Sequence, residues 1–230
     1  MRLAVYGDSL TTGHPGASTF QALEVFLAPH DITNHGRSGD TVISLYHRIA
    51  RDRLCDPADV AILWVGVNDV LARASRTHSV LKRLTHQPPA RDHGEFQDYY
   101  RRTLELLGKN ARNILTVSPL LIGEDLENPW NRALEELCTL IASVCAPFDR
   151  VQYVDLRSGF AAKLKDKQPS EYVPKSITSI ACEAVFLRTA SQVDRAAARR
   201  GLHLTLDGVH LNSNGAQAVA EELRRALEGL

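Results

Sequence analysis

Short apolar runs alternate with amphipathic helical patterns along the whole of this 230-residue chain. That alternation restricts the fold more than any other feature. Strands are predicted at Arg2–Tyr6, Asp31–His35, Val60–Val65, Asn113–Ser118 and Val151–Leu156, and three of these read as continuous apolar runs, which suits a sheet covered on both faces. Between them, Thr41–Leu54 places Val42, Leu45 and Ile49 on one helical face, and Glu95–Leu107 does the same with Phe96, Tyr100 and Leu107. Asn131–Phe148 stripes Leu134, Leu137, Cys138, Ile141, Cys145 and Phe148. A last helix starts at Asn212, a good N-cap, and turns Val219, Leu223 and Leu227 inward. Strands separated by helices predict a single three-layer α/β/α domain spanning residues 1–230, built on a five-stranded parallel sheet. Ligands bind such sheets at the carboxyl edge of the strands.

Lys plus Arg equals Asp plus Glu at 27 each, so neither nucleic acid nor an anionic membrane surface is favoured as a partner. No run reaches the length of a membrane span. The first apolar run is too short for a signal-peptide core and passes straight into Gly7-Asp8-Ser9, so a cytoplasmic location is expected. Cys55, Cys138, Cys145 and Cys182 show no Cys-x-x-Cys spacing and read as buried, reduced thiols. His78, His86 and His93 are spaced too irregularly for a metal site and read as loop residues.

Four short stretches carry the chemistry. Gly7-Asp8-Ser9-Leu10 leaves the first strand; Gly7 permits a tight turn, Asp8 can hold it by accepting backbone N–H bonds, and Ser9 is presented at the sheet edge. Ser38-Gly39-Asp40-Thr41 follows the second strand, where a glycine turn can expose a backbone N–H to a developing oxyanion. Gly66-Val67-Asn68-Asp69 ends the third strand, and an Asn amide donates two hydrogen bonds without titrating. Asp207-Gly208-Val209-His210 precedes the last helix, at a spacing that lets the carboxylate reach the imidazole Nδ1–H and leaves Nε2 free as a base. Taken singly, each stretch is equally served by a structural role: a helix cap, a strand-to-helix turn, a turn Asn, a chance Asp-x-x-His.

Taken together and in this order, the four blocks resemble those of the SGNH hydrolases, also called the GDSL lipase/esterase family. The resemblance covers nearly the whole chain apart from two long segments. It implies a flavodoxin-like α/β/α sandwich and a serine hydrolase that cleaves carboxylic esters of small molecules through an acyl-enzyme. It further implies Ser9 as nucleophile, His210 as base, Asp207 as its partner, and an oxyanion hole from the Ser9 N–H, the Gly39 N–H and the Asn68 amide, with no cofactor or metal.

Two other readings use the same residues. Asp8 and Asp69, both at carboxyl ends of strands, could hold Mg²⁺ in a phosphoryl-transfer or receiver-like domain, although this leaves Asn68, Asp207 and His210 without roles. A non-catalytic binding module on the same fold is the other. The long segments, at about 70–94 and 159–201, are expected to be lids or substrate walls, or else surface excursions packed on themselves. Ile177, Ile180, Val185, Phe186 and Leu187 make the second apolar enough to line an acyl pocket.

Overall fold

Strand order follows from where the apolar runs lie. The computed structural model describes residues 1–27, 31–52, 57–74, 76–170, 172, 187 and 189–230. Its sheet contains β1 (Arg2–Gly7), β2 (Asp31–Asn34), β3 (Ala58–Trp64), β4 (Ala111–Val117) and β5 (Val151–Val154), all parallel, in the order β2-β1-β3-β4-β5. The three runs with near-continuous apolar character, β1, β3 and β4, occupy the middle, and the short, mostly exposed β2 takes an edge.

Helices cover both faces, giving the expected three layers. The described helices are α1 (Ser9–Thr12), α2 (Thr19–Leu27), α3 (Val42–Asp52), α4 (Val67–Ala74), α5 (Arg76–Leu84), α6 (His93–Leu107), α7 (Pro129–Cys145), α8 (Leu156–Leu164), α9 (Ala190–Arg199) and α10 (Ser213–Glu228). One layer packs α3 on α6 and α6 on α7; the other packs α10 on α2, with α8 and α9 beside it. Leu45, Phe96, Tyr100, Leu134, Leu137, Ile141, Val219 and Leu223 are all buried in the core they were expected to form. None of the described helices is long and apolar enough to cross a membrane.

The differences from expectation are set by caps. The Asp155 side chain accepts the Ser158 N–H, so β5 stops at Val154 and Leu156 opens a helix instead of ending a strand. Asp92 caps α6 in the same way, which brings its start back to His93, and Asn128 caps α7 with Pro129 in its first turn. His93 and His78 are therefore helical rather than loop residues; only His86 sits in a turn, at φ 57°. Asn212 caps α10 as expected, accepting the Gly215 N–H. Cys138 and Cys145 are free and buried, and burial pushes the Cys138 thiol up to about 11. Cys55 and Cys182 lie outside the described residues, as do Ile177, Ile180, Val185 and Phe186.

Gly7 shows how closely β1 and β3 approach at the carboxyl edge. It pairs with Trp64, and a Cβ at Gly7 would collide with the Trp64 carbonyl oxygen and with Thr11 Oγ1. Gly7→Ala is therefore expected to lower unfolding stability by about 1–3 kcal/mol, the range for overpacking a filled site. Urea denaturation checks this; an unchanged midpoint would mean that the strand edges separate freely.

Candidate active site

The four blocks converge at one place because of the strand order. β1 connects outward to β2, while β3 leads the other way to β4, so the chain reverses direction between β1 and β3. Ligands bind open α/β sheets in the crevice at such a reversal. Ser9 follows β1 and Asn68 follows β3, so each is delivered to a wall of that crevice.

Asp8, not Ser9, caps the short helix α1: Asp8 Oδ1 accepts the Leu10 N–H at 2.9 Å. Ser9 is thereby the first residue of the helix, a position whose N–H has no intrahelical acceptor. Its hydroxyl lies 3.0 Å from His210 Nε2, and His210 Nδ1 lies 2.7 Å from Asp207 Oδ2. The other Asp207 oxygen accepts the backbone N–H groups of Val209 and His210, at 2.9 and 2.8 Å. An Asp207 carboxylate on Nδ1–H fixes the tautomer and leaves Nε2 to accept from Ser9. Burial would raise the Asp207 carboxyl, but the charge of His210 and these hydrogen bonds outweigh it and hold the group below the usual carboxylate range, so it stays ionised.

Gly39 sits at φ 83°, a left-handed conformation that favours glycine, and a side chain there would meet Gln87 Oε1 and Lys82 Nζ. Among the described residues, neither the Ser9 N–H nor the Gly39 N–H has a protein acceptor. Asn68 lies at the crevice, where it was expected, with its side chain already engaged. Its Nδ2 donates to Asp8 Oδ2 and to the Asp40 carbonyl, both at 3.1 Å, so both amide protons are already engaged. Its Oδ1 accepts from Lys82 Nζ at 2.9 Å.

Asp8 and Asp69, the pair a metal reading requires, are spent on internal bonds. Asp8 holds Leu10 and Asn68; Asp69 accepts the Val42 N–H and the Ala90 N–H, each at 3.0 Å, and thereby ties the start of α3 and the residues before α6 to α4. Burial raises both carboxyls to about 6, against opposing backbone hydrogen bonds and nearby charges, those of Lys82 and His210 for Asp8 and of Arg73 and Lys82 for Asp69. Among the described residues no group of three or more His, Cys, Asp or Glu is arranged to hold a metal ion.

Three supporting residues were not anticipated. Lys82, on α5 within the 70–94 segment, donates to the Gly39 carbonyl at 2.5 Å as well as to Asn68. Gln87, in the same segment, donates to the Ser38 carbonyl at 3.0 Å and to Asp40 Oδ1 at 3.3 Å. Glu124, which follows β4, is 2% exposed and accepts the N–H groups of His203, Leu204 and Thr205 and the Thr205 hydroxyl, at 2.7–2.8 Å. Beside it the Gly123 N–H donates to the Gly208 carbonyl at 2.7 Å. These bonds anchor the loop that carries Asp207 and His210. The one hint in the sequence was that Gly123-Glu124 lies just beyond a central strand, at the edge where ligand loops gather.

Fold and site together define a hydrolase of the three-layer α/β/α class. The chain belongs to the GDSL-like Lipase/Acylhydrolase family, whose sequence profile matches residues 5–218, and it is an SGNH-type esterase. Among curated protein sequences none matches it. Solved structures share its fold at low identity. The acetylxylan esterase Axe2 of Geobacillus stearothermophilus is 18% identical over 97% of this chain and 92% of its own, with a TM-score of 0.67. The acetyl xylan esterase AlAXEase is 21% identical over 99% and 100%, with a TM-score of 0.65. LAE5, from the metagenome of Lake Arreo in Spain and described as an alpha/beta hydrolase, is 17% identical over 99% and 94%, with a TM-score of 0.68.

Two outcomes follow. Glu124→Ala strips the acceptor from three backbone N–H groups and should lower stability by about 3 kcal/mol; an unchanged urea midpoint would mean that the 203–205 loop holds itself. Asp69 binds its proton more tightly folded than unfolded, so between about pH 4 and 6 its ionisation should reduce stability as pH rises, by roughly 2–3 kcal/mol. Asp69→Asn should remove its share of that slope and leave the share due to Asp8, which is raised to the same range, and urea midpoints across the range measure it.

Proposed function

We propose that this esterase hydrolyses short-chain, acetyl-type esters of polar alcohols through an acyl-enzyme on Ser9. The observation that carries the reading is the unbroken row Asp207–His210–Ser9 beside two backbone N–H groups that have no acceptor among the described residues. Ser9 Oγ attacks the ester carbonyl carbon while His210 Nε2 takes the hydroxyl proton. The tetrahedral oxyanion is held by the Ser9 and Gly39 N–H groups and by one Asn68 amide proton, which turns to it from Asp8 or Asp40. His210 returns its proton to the leaving alkoxide oxygen, and the alcohol departs. Water, deprotonated by the same imidazole, then attacks the acyl carbon and releases the acid and Ser9. Asp207 stabilises the imidazolium in both halves.

The substrate class rests on what surrounds Ser9. Thr12 Oγ1 and Ser38 Oγ lie 3.3 Å apart, and Ser38 Oγ donates to the His14 carbonyl at 3.1 Å. The rim between the nucleophile turn and the Gly39 loop is thus built from small polar groups, with the His14 side chain exposed beside them. Such a rim suits a hydroxyl-bearing leaving group better than a long acyl chain. Two of the fold neighbours are acetylxylan esterases, and variants of Axe2 described as catalytic mutants carry alanine in place of a serine, an aspartate and a histidine. The same three residue types form the row here.

A series of p-nitrophenyl esters tests both parts. The acetyl ester should give the highest kcat/KM, falling as the acyl chain lengthens, and acetylated xylo-oligosaccharides should release acetate. Ser9→Ala should lower kcat by at least about 10⁴-fold, and Asn68→Ala by about 10²- to 10³-fold. Preference for octanoate would overturn the substrate class; a fully active Ser9→Ala enzyme would overturn the acyl-enzyme.

A further inference from the structure

Lysine is rarely buried unless it is paired with an opposite charge, because stripping water from an ammonium is costly. Lys82 is only 8% exposed and makes no ion pair among the described residues. Its two partners are neutral oxygens, and both belong to the loops that would receive an oxyanion: the Gly39 carbonyl and the Asn68 carboxamide. Three carboxylates lie further off and supply a compensating field, Asp8 after β1, Asp40 before α3 and Asp69 on α4. An apolar side chain of similar length would fill the same space without that cost. The charge therefore has a use that packing does not supply.

The Asn68 amide shows what that use is. Flipped, it would set its oxygen against the Asp8 carboxylate and the Asp40 carbonyl, and its NH₂ against the ammonium, so all three contacts would turn repulsive. Lys82 thus favours the orientation in which the NH₂ faces Asp8 and Asp40. A cation on Oδ1 also draws electron density out of the amide and makes its N–H groups stronger donors. That matters here because both amide protons are already shared with protein acceptors, and a substrate oxyanion must compete for one of them.

We propose that Lys82 is a positioning residue of the oxyanion hole, its ammonium locking and polarising the Asn68 carboxamide through Oδ1 and pinning the Gly39 loop through its carbonyl. The proposal rests on the reading of Ser9, Gly39 and Asn68 given above. It assigns to the 70–94 segment the task of placing a buried cation behind the donors, in a region shielded from water where a charge acts strongly on a developing oxyanion.

Kinetics on p-nitrophenyl acetate provide the test, with Lys82→Met, Lys82→Gln and Lys82→Arg compared with the unaltered enzyme. Lys82→Met should lower kcat by about 10- to 100-fold with KM within about two-fold, and Lys82→Arg should recover part of the loss. Lys82→Gln keeps a hydrogen-bond donor without the charge, so it should fold and bind like the unaltered enzyme yet stay low in kcat. It therefore answers the question even where the Met variant does not fold. In the Asn68→Ala background, Lys82→Met should cost much less than it does alone.

The pH profile gives a readout that packing would not move. The groups facing Lys82 are Asp8, Asp40 and Asp69, His78 on its own helix, and Arg48 behind Asp40. Burial, opposed by the three carboxylates, holds the ammonium below the usual lysine range. The unaltered enzyme should therefore lose kcat on the alkaline side as this proton leaves, and the Met and Gln variants should lack that limb. A Gln variant with full kcat, or one that retains the alkaline limb, overturns the proposal. Should Ser9→Ala be inactive while Lys82→Gln is unimpaired, the role of Lys82 fails and the serine mechanism stands; should Ser9→Ala be fully active, the underlying reading fails first.

Discussion

Everything at this site depends on two neighbouring strands whose chains leave in opposite directions. β1 and β3 pair in parallel register from Leu3↔Val60 to Gly7↔Trp64, and beyond those residues one chain turns toward β2 and the other toward β4. The opening between them is the one place on the sheet edge where two loops diverge instead of running side by side. Gly7 lets the strands stay in contact to their last residue. One step later the Asp8–Asn68 hydrogen bond links the two walls. The spacing of the two chain exits that lead to Ser9 and Asn68 is therefore inherited from strand pairing.

Around that opening the protein buries an unusual amount of polarity, and nearly all of it is partnered. Asp8, Asp40, Asn68, Asp69, Lys82 and Gln87 are all buried, with Arg48 neutralising Asp40 at 2.9 Å. A satisfied polar network of this kind fixes one arrangement, whereas a partly satisfied one destabilises. The opposite wall is organised by hydrogen bonds to backbone. Arg157 donates to the Leu120 carbonyl and to Asn131, Asn131 accepts the Ile122 N–H and donates to the Gly123 carbonyl, and Glu124 grips residues 203–205. The loop carrying Asp207 and His210 is thus secured to the end of β4, two strands away from Ser9.

What could be read from the residues was whatever is local or periodic. Continuous apolar runs gave the central strands, helical stripes gave the core faces of α3, α6, α7 and α10, and Asn212 marked the start of the last helix. The four site blocks were legible because each is a short string at a fixed place, three just after a strand and one just before the last helix. Strand and helix ends were misjudged where a single capping carboxylate decides them, as Asp155 and Asp92 do. Lys82 and Glu124 were invisible for a different reason. Neither residue belongs to a motif or a periodic stripe, and their partners are 14 to 43 and 79 to 81 positions away. No local pattern encodes a contact that only the completed tertiary structure creates. The engagement of both Asn68 amide protons was hidden for the same reason.

The hydrogen bond between Ser9 and His210 joins residues 201 positions apart. During synthesis the ribosome releases Ser9 near the start and His210 only after every strand of the sheet has emerged. On the proposed mechanism, Ser9 is an ordinary alcohol until the loop that carries His210 is in place. On that mechanism reactivity is withheld from every nascent chain that stops short of His210, and its appearance marks the moment at which two segments separated by the whole sheet first meet.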